Sequence, residues 1–330
     1  MQNPRSSLVV LGTGGTIAGR ADSAHDSVGY RSAQLGVADL LQRQAAQGLA
    51  IEAEQVAQLD SKDMDHATWL RLLQRVAHHL ARPEVRGIVV THGTDTLEET
   101  AWLLQRVLAP ARPVVLTAAM RPATALLSDG PQNLADALAV AAVDGARGVV
   151  AVVAGRVHGA ADVRKCHSRR LDAFDSGDAG ALAVVEQGQV NVWRDWPDGP
   201  ATGLGAVPSD TDRWPWVEIV TSHAGASGRA VDALVDAGVQ GLVVAGTGNG
   251  TVHQALEAAL DRAQARGVAL RVVTRCAAGP VVAGPDHRWP VLARLGAPQA
   301  RVELLLDLMQ ARPAAAADQH RQARGALGTS

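Results

Sequence analysis

The chain has 330 residues, of which 47% are hydrophobic, an ordinary share for a globular protein. Because this length exceeds what one hydrophobic core usually serves, we expect two domains. The 31 basic and 33 acidic residues leave a formal charge of −2. Such a balance argues against a nucleic-acid partner or an anionic membrane surface and favours a small molecule.

The cysteines and the N-terminal residues bear on cofactors and compartment. Cys166 and Cys276 are far apart and have no metal-ligand or Cys-x-x-Cys spacing, so we expect reduced thiols, no metal and no cofactor. Residues 1–7 lead straight into an apolar strand without the apolar segment of a signal peptide, and no apolar run approaches membrane-spanning length. We therefore expect a cytoplasmic protein with no membrane partner.

The first predicted element is a strand that ends in glycines and hydroxyl groups. Residues 9–19 read VVLGTGGTIAG, an apolar run broken by glycines that flank Thr13 and Thr16. Glycine lets the backbone approach a ligand closely, and the carboxyl ends of parallel strands are where open α/β sheets bind ligands. The alternative is a plain turn that the threonines merely cap.

A long polar loop follows at residues 20–34, and loops of this kind are often mobile lids. It contains Tyr30, the only tyrosine of the chain. The apolar spacing then predicts a helix over 37–45, a short strand near 51–56, and a helix over 69–80.

A second strand with the same kind of ending lies at residues 87–100, which read GIVVTHGTDTLEET. Thr96 and Glu99 have the spacing of a capping box, so a helix is predicted to begin there. Polar groups at the ends of two parallel strands, beside a helix N-terminus, suit a small anionic substrate and a developing oxyanion. His92 is interpreted as a buried structural residue.

The remaining segments continue to alternate between strand and helix. We predict strands at 114–119 and 149–153, a helix from the turn at 129–131 through 143, and a hairpin at 181–192 that turns at Gln187-Gly188. This alternation predicts an α/β fold with a doubly wound, mostly parallel sheet in a larger N-terminal domain and a smaller α/β C-terminal domain. The predicted boundaries are a catalytic domain at 1–192, a linker at 193–215, a C-terminal domain at 216–312 and a disordered tail at 313–330.

Two motifs make a known family recognisable. Residues 14–19 (GGTIAG) and 91–96 (THGTDT) resemble the two signature motifs of the bacterial-type L-asparaginase family, which includes the glutaminase-asparaginases. The resemblance runs from residue 8 to about residue 308. It implies a hydrolase that acts on a side-chain amide.

Amide hydrolysis near neutral pH needs an activated nucleophile, an oxyanion hole and a proton shuttle. Thr16 can supply the nucleophilic hydroxyl, and the backbone N–H groups of Gly15 and Gly93 can bind the oxyanion. A neutral lysine can act as the base through a second hydroxyl, as in serine–lysine hydrolases. The residues available for this relay are Thr94, Asp95 and Lys165.

The resemblance assigns roles to individual residues. It implies that Thr16 carries the acyl intermediate and that Tyr30 hydrogen-bonds to it. Ser61 is implied to bind the substrate's α-carboxylate, and Asp95 its α-ammonium group. The companion triad that the resemblance implies consists of Thr94, Asp95 and Lys165.

Three further segments resemble parts of the family's site. Residues 118–122 (AAMRP) and 129–133 (DGPQN) resemble segments around the substrate, and Ala119 is counted among the substrate-binding residues. Residues 246–250 (GTGNG), with Asn249, resemble a C-terminal loop that a neighbouring subunit supplies in the family's tetramers. The resemblance therefore implies a homotetramer, a dimer of dimers, with active sites shared between subunits.

The sequence departs from the family at the α-ammonium site. Lys62, which we count among the substrate-binding residues, follows Ser61 where family members carry Gln or Glu. It could point away, pair with Asp63 or help to bind the carboxylate. Between residues 275 and 296 the only acidic residue is Asp286, with no clear match to the glutamate that a neighbouring subunit contributes in relatives.

The leading hypothesis is an L-asparagine amidohydrolase that yields L-aspartate and ammonia through a threonine acyl-enzyme. Its nearest alternative is a dual glutaminase-asparaginase, since one methylene changes binding by only about 1–3 kcal/mol. A non-catalytic asparagine or aspartate sensor ranks lower, because it would not need Thr16 together with Lys165. A nucleotide-binding enzyme is disfavoured, since neither glycine-rich turn has the third glycine of the dinucleotide motif.

Overall fold

The computed structural model describes residues 6–26, 29–42, 50–285 and 287–311. The tail predicted at 313–330, Asp286 and the end of the helix predicted over 37–45 lie outside these ranges. The strands are β1 (Ser7–Gly14), β2 (Ala50–Leu59), β3 (Val85–Thr91), β4 (Val114–Thr117), β5 (Val149–Val153), β6 (Arg156–Gly159), β7 (Arg164–Lys165), β8 (Phe174–Asp175), β9 (Ala183–Glu186), β10 (Gln189–Val192), β11 (Val217–Thr221), β12 (Gly241–Gly246) and β13 (Ala269–Thr274). The α-helices are α1 (Val37–Leu41), α2 (His66–Leu80), α3 (Leu97–Leu108), α4 (Gly130–Ala141), α5 (Arg229–Asp236), α6 (Gln254–Ala265) and α7 (Ala297–Ala311).

Eight of these strands form the large sheet, in the order β10-β9-β6-β5-β4-β3-β1-β2. The five strands from β5 to β2 run parallel, and β6, β9 and β10 pair antiparallel at the other edge. A separate sheet in the C-terminal half has the order β11-β12-β13, with all strands parallel. The predicted α/β fold class is confirmed.

The parallel strands other than β2 are buried on both faces, as their continuous apolar sequences require. In β1, Val9 and Leu11 pack in one buried cluster with α2 and α3, whereas Leu8 and Val10 pack in another with α4. Because both faces are covered, only the ends of these strands remain available for a ligand.

Strand β2 is longer than the short strand predicted near 51–56, with ten residues, and α1 has five residues within the described ranges. Strand β2 lies at the sheet edge, and its outer Glu52 and Glu54 pair with Arg82 and Arg75. The charged residues interrupt the apolar pattern, so the sequence does not indicate the full strand, which pairing with β1 extends to Leu59.

The predicted capping box at the start of α3 is wrong, although the helix does begin at Leu97. The Thr96 side chain makes no capping bond and instead donates from Oγ1 to the Ser61 carbonyl oxygen at 2.8 Å. A hydrogen bond to the turn at Ser61 thus replaces the predicted capping bond within α3. The hairpin prediction is confirmed, because Gln187 and Gly188 both have a positive φ, which suits a tight two-residue turn.

Helix α7 joins the two sheets. Leu304 of α7 and Val243 of β12 belong to the same buried cluster as Val9 of β1, and Arg106 of α3 pairs with Glu303 at 2.8 Å. The core therefore continues from one half of the chain to the other. None of the helices in the described ranges is long and apolar enough to cross a bilayer.

Candidate active site

The two glycine-and-hydroxyl turns meet at one edge of the large sheet. Strands β1 and β3 are parallel neighbours, so the turns that follow them leave the sheet side by side. A methyl group built on Gly15, whose φ is +78°, would lie 2.4 Å from the Gly93 Cα. Both positions therefore require glycine, and this close approach brings Thr16 and Thr94 to one place.

Thr16 lies at the start of a short 3-10 turn directly after β1. Its side chain is buried in this chain and its Oγ1 lies 2.7 Å from the Tyr30 hydroxyl. Tyr30 is held there by its own loop, because Arg20 and Arg31 exchange two backbone hydrogen bonds of 2.9 Å. The structure thus brings Thr16 and Tyr30 together as predicted.

The three residues of the predicted relay also meet. Lys165 Nζ donates to Thr94 Oγ1 at 2.8 Å and to Asp95 Oδ1 at 2.5 Å. Lys165 lies on β7, which pairs with β8 and fixes the lysine opposite Phe174. An amine in contact with both a hydroxyl and a carboxylate can exchange a proton with the hydroxyl while the carboxylate holds it in position.

Ser61 is buried beneath the second turn. Its Oγ accepts a hydrogen bond from the Asp95 backbone N–H at 3.1 Å, and a methyl group on Gly93 would lie 2.4 Å from that oxygen. Ser61 begins a 3-10 turn whose N-cap is Asp60, with the Asp60 side chain accepting from the Lys62 N–H. This contact ties the end of β2 to the two turns.

These side chains surround one cavity of about 510 Å³. Six of the predicted site residues line it, namely Thr16, Tyr30, Ser61, Thr94, Asp95 and Lys165. Five lining residues were missed by the sequence reasoning, namely Asp60, Met120, Arg121, Ser168 and Arg169. Asp60 is next to Ser61, Met120 and Arg121 lie in the 118–122 segment, and Ser168 and Arg169 follow Lys165 by three and four residues, so proximity in sequence was the available signal.

Gly15, Gly93 and Ala119 are buried in the frame of the site and do not line the cavity. The Gly15 N–H already donates to the Leu59 carbonyl oxygen at 2.9 Å. The oxyanion role predicted for Gly15 is therefore wrong, because its donor is used within the protein. No acceptor in the described part of the chain pairs with the Gly93 N–H.

Two predicted binding residues lie elsewhere in this chain. Lys62 is exposed, and its Nζ pairs with Asp63 Oδ2 at 2.5 Å, which raises the pKa of Lys62. Of the three alternatives for this lysine, the structure has the pairing with Asp63. Asn249 lies on the loop after β12, where its side chain bonds the Val282 backbone at 2.7 and 2.9 Å.

Burial shifts the pKa values of two titratable groups near the site, His92, which is buried, and Glu98, which is half-buried. His92 bonds the Gly93 carbonyl oxygen at 2.8 Å and Thr100 Oγ1 at 3.0 Å, and burial lowers its pKa to about 4. The imidazole is therefore neutral at pH 7, as its structural interpretation expects. Burial also raises the pKa of Glu98 to about 7, against an opposing hydrogen bond from the Lys165 backbone.

Metal ligation has no candidate in the portions of the chain that the structure describes, since no group of three or more His, Cys, Asp or Glu side chains is arranged to hold an ion. Cys166 and Cys276 are both free and exposed. The polar side chains that line the cavity supply instead hydroxyl groups, one amine, two guanidinium groups and two carboxylates.

Comparisons with known proteins identify the family. Residues 7–198 match the sequence family described as "Asparaginase, N-terminal", and residues 216–317 match "Glutaminase/Asparaginase C-terminal domain". A crystal structure described as a probable cytoplasmic L-asparaginase from Campylobacter jejuni superposes with a TM-score of 0.86 at 35% identity, covering 92% of this chain and 95% of that chain.

Similar curated proteins span nearly the whole chain. L-asparaginase 2 of Bacillus subtilis is 33% identical, with 91% of this chain and 81% of that protein covered. L-asparaginase 2 of Escherichia coli is 34% identical over 92% and 89%, and the glutaminase-asparaginase of Pseudomonas fluorescens is 35% identical over 92% and 86%. The chain belongs to the asparaginase family.

Proposed function

We propose that the chain hydrolyses the side-chain amide of L-asparagine to L-aspartate and ammonia through an acyl intermediate on Thr16. The observation that carries this proposal is the 2.8 Å contact between Lys165 Nζ and Thr94 Oγ1 in the cavity that Thr16 also lines. An amine in contact with a hydroxyl group, in the same cavity as a buried threonine, is an arrangement suited to proton transfer. Family membership supports the amide as substrate.

The first half-reaction acylates the enzyme. The Thr16 oxygen bonds to the amide carbon, its proton is passed to the leaving nitrogen, and the C–N bond breaks to release ammonia. Tyr30, 2.7 Å from Thr16 Oγ1, holds the hydroxyl in position for this step. The Gly93 N–H stays the predicted donor to the carbonyl oxygen as negative charge develops there, and in this chain Gly93 lies behind the cavity lining.

The second half-reaction releases the product. A water oxygen bonds to the ester carbon, and Lys165 is the proposed acceptor of the water proton through the Thr94 hydroxyl. The bond from the carbon to the Thr16 oxygen then breaks, and the proton returns to Thr16. Asp95 holds the lysine in place throughout, at 2.5 Å.

The charged ends of the substrate are matched by polar groups on the cavity wall. Ser61 is the proposed partner of the α-carboxylate. Asp95 and Asp60 are the proposed partners of the α-ammonium group, because both carboxylates line the cavity. Asp60 can compensate for the absence of Gln or Glu at Lys62, which faces solvent.

A dual glutaminase-asparaginase is the second candidate, supported by the likeness to the Pseudomonas fluorescens enzyme. L-glutamine is longer than L-asparagine by one methylene, and a pocket separates the two by about 1–3 kcal/mol. Measuring ammonia release from both amides under the same conditions tests the choice. A higher kcat/KM for L-glutamine than for L-asparagine would overturn the leading proposal.

The oligomer and the compartment belong to the same proposal. Asn249 does not line the Thr16 cavity of its own chain, which supports a homotetramer in which a neighbouring subunit supplies its loop. A cytoplasmic location is supported by the description of the Campylobacter jejuni structure, although a Haemophilus influenzae relative is described as periplasmic. Light scattering and cell fractionation test these two points.

We also propose the division into domains at 1–192 and 216–312, with 193–215 as the linker. The two family matches support it, because the N-terminal match ends at residue 198 and the C-terminal match begins at residue 216. A sensor without activity remains the lower-ranked alternative. It would bind L-asparagine, seen as a rise in the unfolding temperature, without releasing ammonia.

A further inference from the structure

The cations around the catalytic cavity differ in whether they have a partner. Lys165 is bonded to Asp95, and the Arg121 guanidinium donates to the Leu127 carbonyl oxygen at 2.9 Å. Arg169 also lines the cavity, and within the described ranges its guanidinium has no hydrogen-bond or ion-pair partner. Neither guanidinium pairs with a carboxylate within the described ranges, and Arg169, unlike Arg121, is not held by a hydrogen bond there.

Substrate and product differ in charge, so a cation without a carboxylate partner can bind one more strongly than the other. At neutral pH L-asparagine is a zwitterion without net charge, whereas L-aspartate carries one extra negative charge on its side-chain carboxylate. Asp60 and Asp95 on the same wall act on the α-ammonium group, which both molecules share. Their attraction for that ammonium group is common to both molecules, and their repulsion of the extra carboxylate disfavours the product, whereas attraction by Arg169 favours it.

We infer that Arg169 is a specificity-determining residue that binds the dicarboxylate product in preference to the neutral amide, and so sets the strength of product inhibition. This inference rests on the proposed function. Arg169 follows Lys165 by four residues and is held in a turn in which its own N–H and that of Arg170 donate to His167 Nδ1, both at 3.0 Å. The turn is thus held by two backbone N–H groups bonded to the His167 ring, and substitution of the Arg169 or Arg170 side chain leaves both bonds in place.

The expected size of the effect is modest because Arg169 is exposed. Exposed ion pairs contribute about 0.2–1 kcal/mol, which corresponds to a change of up to about fivefold in a binding constant. Salt screens such pairs, so the effect should shrink as the ionic strength rises.

The test compares Arg169→Gln and Arg169→Lys with Arg170→Gln. Arg170 is the matched control, because it is the next residue, is exposed, and pairs with Asp172 at 3.1 Å away from the cavity lining. The measurements are the inhibition constant Ki of L-aspartate and the KM for L-asparagine, at low and high salt.

Arg169→Gln is expected to raise the Ki for L-aspartate about two- to fivefold at low salt, with a smaller change in KM. Arg169→Lys should retain the wild-type Ki, and Arg170→Gln should match wild type in both constants. An unchanged Ki in Arg169→Gln, or equal changes in Ki and KM, overturns the inference. A wild-type protein that releases no ammonia from L-asparagine would instead overturn the proposed function, so the two failures are distinguishable.

Discussion

Gly15 and Gly93 touch backbone to backbone, with room for no side-chain atom between the turns that carry Thr16 and Thr94. Gly15→Ala is therefore expected to lower both the free energy of unfolding and kcat. A positive φ costs alanine about 1–2 kcal/mol, and relief of the overlap must separate the two turns. Chemical denaturation and ammonia release measure the two effects.

Gly145→Ala is the matched control for that substitution. Gly145 has a φ of +76°, close to the +78° of Gly15, but nothing lies within 4 Å of an added methyl group. It should show the cost of a positive φ without the overlap, with wild-type kcat. If Gly15→Ala behaved in the same way, the close approach of the turns would have no bearing on activity.

Replacing Thr94 by Val or Lys165 by Met should each reduce kcat strongly, because each removes one end of the 2.8 Å contact. If the two act as one unit, the double variant should be no slower than the slower single variant. Steady-state kinetics on all three variants gives the comparison. Independent, multiplicative losses would mean that the two side chains serve different steps.

Lys62→Gln should leave KM for L-asparagine within about twofold of wild type, since a partnered, exposed charge contributes little. The reason is the salt bridge of Lys62 with Asp63, which holds the ammonium group away from the cavity lining. Asp63→Asn releases the lysine and serves as the companion variant, with a higher KM expected. A severalfold fall in KM for Lys62→Gln would show that the lysine opposes the substrate's α-ammonium.

Glu98 should make the protein less stable as the pH rises from about 4.5 to about 7. Burial raises the pKa of Glu98 to about 7 from its ordinary value of 4.5, so in this window the folded protein holds a proton that the unfolded chain has lost. Below 4.5 both states are protonated, and above 7 both are ionised. Glu98→Gln should remove this part of the decline.

The experiment follows the unfolding free energy of wild type and Glu98→Gln between pH 4 and pH 8. Glu186→Gln, at an exposed position of β9, is the control and should run parallel to wild type. The Glu98→Gln curve should gain on wild type as the pH rises through the window. Parallel curves for Glu98→Gln and wild type would contradict the raised pKa.

The sequence predicted the parts of the site that short motifs encode. The glycines, threonines and apolar strands around Thr16 and Thr94 predict both turns, and parallel neighbouring strands place them at one sheet edge. Hydrogen bonds between segments that are far apart in the sequence could not be predicted from these motifs. The capping box failed because the Thr96 hydroxyl bonds Ser61, 35 residues away, and the oxyanion role of Gly15 failed because its N–H is taken by Leu59.

The missed residues have the same physical cause. Asp60 and Arg169 line the cavity because of the direction in which their turns point them, and the sequence specifies residue types more clearly than side-chain directions. Lys62 is the converse case, since its position next to Ser61 suggested the pocket, yet its partner Asp63 holds it in solvent.

The most direct test of the account is the rate of ammonia release from L-asparagine by wild type and by Thr16→Val, with the unfolding midpoint of each measured in parallel. Valine matches threonine in shape but has no hydroxyl. The account predicts that wild type releases ammonia and that Thr16→Val, folded with a similar midpoint, is slower by about a thousandfold or more. A folded Thr16→Val protein within about tenfold of the wild-type rate would contradict it.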